Sequence, residues 1–150
     1  MSKLALLILS VFVALPLIAQ TKSLLNVDKS NLAIQGYDPV AYFTDNKPVK
    51  GKAEFNSTYS GALYYFASAE HKAEFDKDPA KYEPAFGGYC AYGVSKNKLV
   101  EIDPEVFQIM DGRLLLQYSK GARSNFNKDP EGNLAKAKAN WPGLVNKSGK

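Results

Sequence analysis

The chain has 150 residues and a single cysteine, and its 19 basic side chains exceed its 15 acidic ones by only four. One cysteine excludes an internal disulfide, and the basic residues alternate with acidic ones, as over 70–77, instead of forming the basic stripe of a nucleic-acid-binding protein. We therefore expect one mildly basic domain that does not bind nucleic acid and that relies on its 9 tyrosines and 8 phenylalanines for a core.

The first 19 residues have the pattern of a secretory signal peptide. A lysine at position 3 precedes an apolar run from Leu4 to Leu17, and Ala19 provides the small residue of a cleavage site. The run is shorter than the roughly 18 apolar residues of a spanning helix and contains Pro16, so an uncleaved anchor remains only as the alternative. We expect export to the periplasm or the exterior, no membrane span after cleavage, and an N-terminal extension over 20–32.

Two segments align without a gap when the chain is shifted by 51 residues. The identical pairs are Gly61 and Gly112, Leu63 and Leu114, Ser68 and Ser119, Phe75 and Phe126, Lys77 and Lys128, Asp78 and Asp129, and Pro79 and Pro130. In each copy a turn glycine precedes a β-rich strand, a serine then predicts a helix N-cap, and the helix is predicted to end before Asp-Pro. A phenylalanine seven residues after each serine is expected to face the core.

Strands are also predicted before each turn, over 52–58 and 106–110, and Asp111-Gly112 is a strong signal for a hairpin turn. Each unit thus predicts a hairpin, a helix, Asp-Pro and a second helix. The fold class that follows is α+β, a small antiparallel sheet with helices packed on one face, built from two pseudo-repeated hairpin-helix-helix units. Chance similarity of two amphipathic units is the alternative to a duplication. His71 aligns with Ala122, so the scaffold does not require an imidazole there, and His71 becomes a functional candidate.

Several motifs together resemble the YHS domain family. They are 36–43 (GYDPVAYF), 65–72 (YFASAEHK) and 87–91 (GGYCA), with Phe75, Asp78-Pro79 and Tyr82, while Asp103-Pro104, Asp111-Gly112 and Asn140-Trp141-Pro142 resemble the longer exported members. The resemblance implies a YHS-type domain over 33–145, followed by a short tail at 146–150. It also implies metal handling, without an established enzymatic activity for the stand-alone members.

Cys90 and His71 carry the chemistry that points to a metal. Cys90 follows two glycines that permit positive φ and a close approach, and a helix beginning at Ala91 would favour the thiolate. The alternative is a buried and inert cysteine. His71 is the third residue of the helix capped by Ser68, where we expect it to face the Cys90 turn, and an ordinary surface histidine is its alternative. Thiolate and imidazole together suit copper or zinc.

The number of soft ligands limits the kind of site. After signal removal the chain has one histidine, one cysteine and one methionine, Met110, which we assign to the core. A four-ligand structural zinc site is therefore excluded. A low-coordinate copper(I) site, an open site completed by Asp38, a tyrosine or water, and a site shared by two chains all remain, so the protein is expected to be a monomer or a metal-bridged dimer.

Asp38 and three tyrosines are candidates for the surroundings of this site. Asp38 is expected in a turn stiffened by Pro39, and its alternatives are metal ligation or the orientation of the histidine. Tyr37, Tyr65 and Tyr89 are candidates to wall a cofactor pocket, with core packing as their alternative.

Three functions follow from these residues. The first is an exported YHS-type binding protein that holds a soft metal ion, above all copper, or a small cofactor near Cys90 and His71, without catalysis. The second is a redox or nucleophilic enzyme that uses the Cys90 thiol with His71 as its base, although the sequence contains no resolving cysteine. The third is a structural or partner-binding module with a buried Cys90.

Overall fold

The structure is a computed structural model that describes residues 23–148. The expected signal peptide, the first residues of the N-terminal extension and the last two residues of the tail lie outside this range. Helices and two separate two-stranded antiparallel sheets make up the described part, which confirms the α+β class. None of the helices within 23–148 combines the length and the apolar character needed to cross a bilayer.

Within residues 23–148, six α-helices and four strands follow one another in two similar series. In chain order they are α1 (Ala41–Thr44), β1 (Lys52–Tyr59), β2 (Ala62–Phe66), α2 (Ala69–Lys77), α3 (Pro79–Tyr82), α4 (Ala91–Ser95), β3 (Asp103–Met110), β4 (Arg113–Gln117), α5 (Lys120–Phe126) and α6 (Pro130–Ser148). Short 3₁₀ turns precede α1 and α4. The predicted order of hairpin, helix and helix is thus present twice, and we call the two series the first and the second repeat.

The two hairpins have the same register. Within β1 the pairing shifts between Lys52 and Asn56, and within β3 it shifts between Asp103 and Phe107, 51 residues further on. β3 begins at Asp103, before this irregularity, and not near residue 106 as the sequence pattern predicted. At the hairpin tips Ser60-Gly61 and Asp111-Gly112 all have positive φ, as a type I′ hairpin turn requires.

The helix caps predicted from sequence are confirmed in both repeats. The hydroxyl of Ser68 accepts the backbone N–H of His71 at 3.1 Å, and Ser119 accepts that of Ala122 at 3.1 Å. The helices α2 and α5 each end before an Asp-Pro pair, and the next helix begins at its proline. The same short-range signals therefore place the same elements twice.

A left-handed turn precedes the first helix of each repeat. Residues 34–36 have φ values of 53°, 50° and 84°, and residues 86–88 have 55°, 60° and 84°. In the second turn Gly87 lies so close to the N-terminal segment that a Cβ atom there would collide with the backbone oxygen of Leu24. The backbone N–H of Asn26 also donates to the Gly87 oxygen at 2.8 Å. The glycines predicted to allow a close approach thus receive the chain's own N-terminal segment.

The two repeats share the main cluster of the hydrophobic core, and the buried residues of two smaller clusters belong to the second repeat. The main cluster contains buried aromatic side chains of the first repeat, among them Tyr42 and Phe75, together with Leu114 and Leu116 of the second. The Tyr42 hydroxyl donates to the Pro104 oxygen at 2.7 Å across the repeats. Burial raises the pKa of Tyr42, so this phenol remains a neutral donor. Each large side chain buried here contributes on the order of 2–3 kcal/mol to stability.

Candidate functional site

Asp38 holds the start of α1 from a fully buried position. Its Oδ1 accepts the N–H groups of Val40 at 2.8 Å and Ala41 at 3.3 Å, and its Oδ2 accepts that of Ala67, after β2, at 2.9 Å. Ionised carboxylates are the natural acceptors for several N–H groups at once. The predicted turn at Asp38 is confirmed, and the same side chain also connects α1 to the end of the hairpin.

His71 lies against the remaining side of this carboxylate. The Ser68 cap sets the first turn of α2, and Nδ1 of His71 lies 2.5 Å from Oδ2 of Asp38. Because a carboxylate only accepts hydrogen bonds, the proton of a neutral His71 belongs on Nδ1, and Nε2 carries the lone pair. Asp38 thus fixes both the ring orientation and the tautomer of His71.

The free nitrogen of His71 faces a small, partly exposed group of oxygen atoms. Nε2 lies 3.4 Å from Oγ1 of Thr44 and 3.7 Å from Oδ1 of Asp45. The His71 side chain is 19% exposed and that of Asp45 is 37% exposed, whereas Asp38 is 0% exposed. We call Asp38, Thr44, Asp45 and His71 the Asp38–His71 site; it offers a lone pair and a carboxylate that solutes can reach.

Cys90 lies in a different environment. It is 1% exposed and caps α4, where Sγ accepts the N–H groups of Gly93 at 3.4 Å and Tyr118 at 3.2 Å. The thiol donates to Oε1 of Gln117 at 3.4 Å. Within residues 23–148, Cys90 and His71 share no hydrogen-bonding partner, so the structure joins His71 to Asp38 and leaves Cys90 in the main core cluster, at the start of α4.

The three tyrosines are distributed over both repeats. Tyr37 pairs with Lys50, whose ammonium lies 5.9 Å from the ring centroid. Tyr65 lies in β2 of the same repeat, whereas Tyr89 of the second repeat packs near Trp141, with ring centroids 6.4 Å apart. Burial raises the pKa of Tyr89. All three are partly buried, and the pocket predicted from them stays a prediction.

Two cavities of the described chain lie away from the Asp38–His71 site. One of about 350 Å³ lies between residues 26–35 and Glu101-Ile102, and another of about 280 Å³ lies beside Trp141 and Phe86. The predicted core role of Met110 agrees with its packing against the cluster that contains Leu115. The Asp38–His71 site and these two cavities are therefore separate features.

Within residues 23–148, no group of three or more His, Cys, Asp or Glu side chains could by itself hold a metal ion. The arrangement that does fit a metal is open: an imidazole nitrogen with a free lone pair, its other nitrogen bound to a carboxylate, and the second carboxylate of Asp45 nearby. An ion held there would complete its coordination with water, a solute or a second chain. Imidazole and carboxylate ligands suit copper(II), zinc or nickel.

Sequence reasoning missed Thr44, Asp45 and Gln117. Nothing in the pattern of α1 marks Thr44 or Asp45, because their role depends on how α2 approaches α1. Gln117 did leave a signal: it aligns with Phe66 at a shift of 51, a polar residue in place of an aromatic one at a buried position.

Comparison with known proteins gives one match. Residues 40–85 fit the family model described as YHS domain, a segment that contains α1, the first hairpin, Asp45 and His71 and that ends before Cys90. No curated protein and no solved structure matches the chain. The family is associated with metal binding, which supports a general metal-binding role. The resemblance found in the sequence is thus confirmed over residues 40–85, which match the YHS domain model.

Proposed function

We propose that this protein is an exported metal-binding protein in which Nε2 of His71 is the principal ligand of a divalent transition metal, with copper(II) the first candidate. The observation that carries the proposal is the 2.5 Å contact between Nδ1 of His71 and Oδ2 of the buried Asp38. Metal-binding histidines almost always donate their other N–H to a carboxylate or a carbonyl, which fixes the tautomer and raises the basicity of the ligating nitrogen.

Asp45 is the second ligand in this proposal. Its carboxylate lies 3.7 Å from Nε2 of His71 and is partly exposed, so an ion can approach from solvent. Two protein ligands make an open, exchangeable site and not a structural one, which would need about four. Copper(II) is preferred because it binds nitrogen and oxygen donors most tightly among the first-row divalent ions.

The geometry gives less support to a thiol enzyme. Cys90 is 1% exposed and its thiol donates to Gln117, so reagents cannot reach it in the folded state. The Thr44 hydroxyl lies 2.8 Å from Oδ1 of Asp45 but 3.4 Å from Nε2 of His71, so its proton goes to the carboxylate and His71 does not activate it as a nucleophile. We expect labelling of Cys90 by a thiol reagent to wait for unfolding, and fast labelling in native buffer would favour the enzyme instead.

The test is a copper(II) and zinc titration of the chain beginning at Gln20, monitored by calorimetry and by competition with a chelator. Wild type should bind one ion per chain, His71→Ala should abolish binding, and Asp45→Asn should weaken it by roughly 10-fold or more. Affinity should fall as the pH falls, because protons compete for Nε2. Cys90→Ser is the matched control and should bind like wild type. Loss of binding in Cys90→Ser with retention in His71→Ala would move the site to the cysteine and overturn the proposal.

Export is tested separately. The full chain produced in cells should be recovered outside the cytoplasm with Gln20 as its first residue, as the pattern of the first 19 residues implies. A cytoplasmic chain that retains Met1 would contradict export without affecting the metal site.

A further inference from the structure

Asp38 and Cys90 occupy corresponding positions in the two repeats, although the gap-free sequence alignment begins after both. The Asp38 N–H donates to the Val49 oxygen at 2.8 Å, and the Cys90 N–H donates to the Val100 oxygen at 3.0 Å. Each residue follows a left-handed turn and a tyrosine, at a shift of 52. The shift falls from 52 to 51 residues between each of these two residues and the hairpin that follows it.

The polar contacts of the two side chains correspond as well. Oδ2 of Asp38 accepts the N–H of Ala67 at 2.9 Å, and Sγ of Cys90 accepts that of Tyr118, 51 residues later, at 3.2 Å. Oδ1 of Asp38 accepts the N–H of Ala41, and Sγ of Cys90 accepts that of Gly93, 52 residues later, at 3.4 Å. One sulfur atom thus receives two of the three N–H groups that a carboxylate receives in the first repeat.

The third N–H group explains Gln117. In the first repeat Val40 donates to Asp38, whereas its counterpart Tyr92 donates to Oε1 of Gln117 at 3.1 Å. Gln117 is fully buried where the first repeat has Phe66, and its Oε1 also accepts the Cys90 thiol. Its Nε2 has no hydrogen-bonding partner within residues 23–148. A cysteine and a glutamine together therefore satisfy the backbone that one aspartate satisfies in the first repeat.

Two further members of the site, His71 and Asp45, are replaced too. The counterpart of His71 is Ala122, and the counterpart of Asp45, next to an asparagine with positive φ in each repeat, is Lys96. We propose that the second repeat contains a dormant copy of the Asp38–His71 site, that is, a copy whose histidine and carboxylates have been replaced. In this copy Cys90 and Gln117 jointly take the place of the Asp38 carboxylate. Cys90 is then a residue that positions the backbone of the second repeat. Restoring the replaced residues would create a second site for a divalent cation, and only this expectation rests on the proposed function.

The first experiment rebuilds the buried pair. Imidazole ¹⁵N NMR of Cys90→Asp/Gln117→Phe/Ala122→His is compared with that of Ala122→His alone, at a pH at which the ring is neutral. The introduced ring should carry its proton on Nδ1 in the triple variant, as we expect for His71, and on Nε2 in the single variant. The same tautomer in both would overturn the proposal. A crystal structure of the triple variant should show the new imidazole against the new carboxylate.

The second experiment works in the opposite direction and does not depend on the triple variant folding. In a His71→Ala background, Asp38→Cys, Phe66→Gln and their combination form a double-mutant cycle, followed by the melting temperature. Asp38→Cys alone leaves the Val40 N–H without its acceptor, so Phe66→Gln should recover part of the lost Tm in that context and lower Tm when Asp38 is present. Equal effects of Phe66→Gln in both contexts would show that the glutamine does not complement the cysteine.

Zinc stoichiometry then separates this inference from the proposed function. The triple variant with Lys96→Asp added should bind two zinc ions per chain where wild type binds one, and a count of one would refute the second cation site. If wild type binds none, the proposed function fails, whereas the tautomer and the cycle still decide whether the second repeat contains a dormant copy.

Discussion

At the residue scale, Asp38 combines a structural and a functional task in one side chain. It accepts three backbone N–H groups while fully buried, and the same carboxylate orients His71. Asp38→Ala removes every one of these acceptors at once. Because each buried donor left unpaired costs about 1–3 kcal/mol, we expect unfolding by urea to show a loss of about 3 kcal/mol or more.

The control for Asp38 is His71→Ala, which keeps the three backbone hydrogen bonds. It should cost only about 1 kcal/mol, the usual contribution of one hydrogen bond. A similar loss in both variants would mean that the imidazole, and not the backbone, accounts for the importance of Asp38 to stability.

The carboxyl group of Glu83 should lower the stability of the protein as the pH rises. Burial raises the pKa of this carboxyl above its ordinary 4.5, and nearby Arg113 only partly opposes the effect. The folded chain therefore holds this proton to a higher pH than the unfolded chain does, and the group's contribution to stability falls as pH rises from about 4.5 through the raised value. Glu83→Gln should thus have a higher Tm than wild type at neutral pH, with the gap closing below pH 4.

Glu54→Gln, at an exposed position of β1, is the matched control for this pH series. A Glu83→Gln variant that is less stable than wild type at neutral pH would contradict the assignment, because it would mean that the charged form is favoured by folding.

Sequence reasoning about the site succeeded for residues whose role follows from local structure. The position of His71 on α2 follows from the Ser68 cap, and the turn at Asp38 follows from Asp-Pro chemistry. The predicted meeting of His71 with Cys90 depended on tertiary placement, which no spacing specifies, and the structure instead gives Cys90 the position that Asp38 has in the other repeat.

At the element scale, the close crossing of the N-terminal segment at Gly87 can be tested by a pair of glycines. Gly87 has a φ of +60° and touches the Leu24 backbone, whereas Gly112 has a φ of +73° and nothing within 4 Å of an added Cβ. Gly112→Ala should cost only the left-handed strain, about 1–2 kcal/mol. Gly87→Ala adds a clash with a backbone oxygen, so we expect a total loss of roughly 2–5 kcal/mol.

Urea unfolding of both variants measures the difference, and hydrogen exchange of the Asn26 amide reports directly on the crossing. If both alanines cost the same, the N-terminal segment does not depend on Gly87 for its position.

Most helices and strands could be predicted from the sequence because the residues that begin or end them lie close to them in the chain. Ser caps, Asp-Pro stops and the Asp111-Gly112 turn all act within a few residues, and α2, α3, α5, α6 and the second hairpin each depend on one of them. The register shifts in β1 and β3 escaped prediction, since a bulge is set by how the strands pack and not by their alternation. The left-handed turn at 34–36 was also missed, because Ile34 and Gln35 are poor formers of that conformation.

At the scale of the whole molecule, the shared core predicts one cooperative unfolding transition. Phe75 and Phe126 occupy corresponding positions, are 1% and 0% exposed, and belong to clusters that contain residues of β4. Replacing either by alanine should cost about 3–5 kcal/mol. Fluorescence and circular dichroism should nevertheless follow the same single transition in both variants, because the main cluster joins buried side chains of both repeats.

Two transitions, one sensitive to Phe75→Ala and the other to Phe126→Ala, would show instead that the repeats unfold independently. Phe55→Ala, on a partly buried position at the edge of the main cluster, provides a milder control that should shift the same transition by less.

The crossing of Asn26 over Gly87 and Gly88 also determines the order in which the chain can fold. The contact joins residues 62 apart in sequence, so it cannot form until residue 88 is available. Contacts of this separation slow folding, because a long loop must close before they form. When a chain emerges N-terminus first, from a ribosome or through a translocon, Asn26 therefore lacks its contacts with Gly87 and Gly88 while the first repeat emerges. Docking of Asn26 against Gly87 and Gly88 therefore follows the emergence of the first repeat.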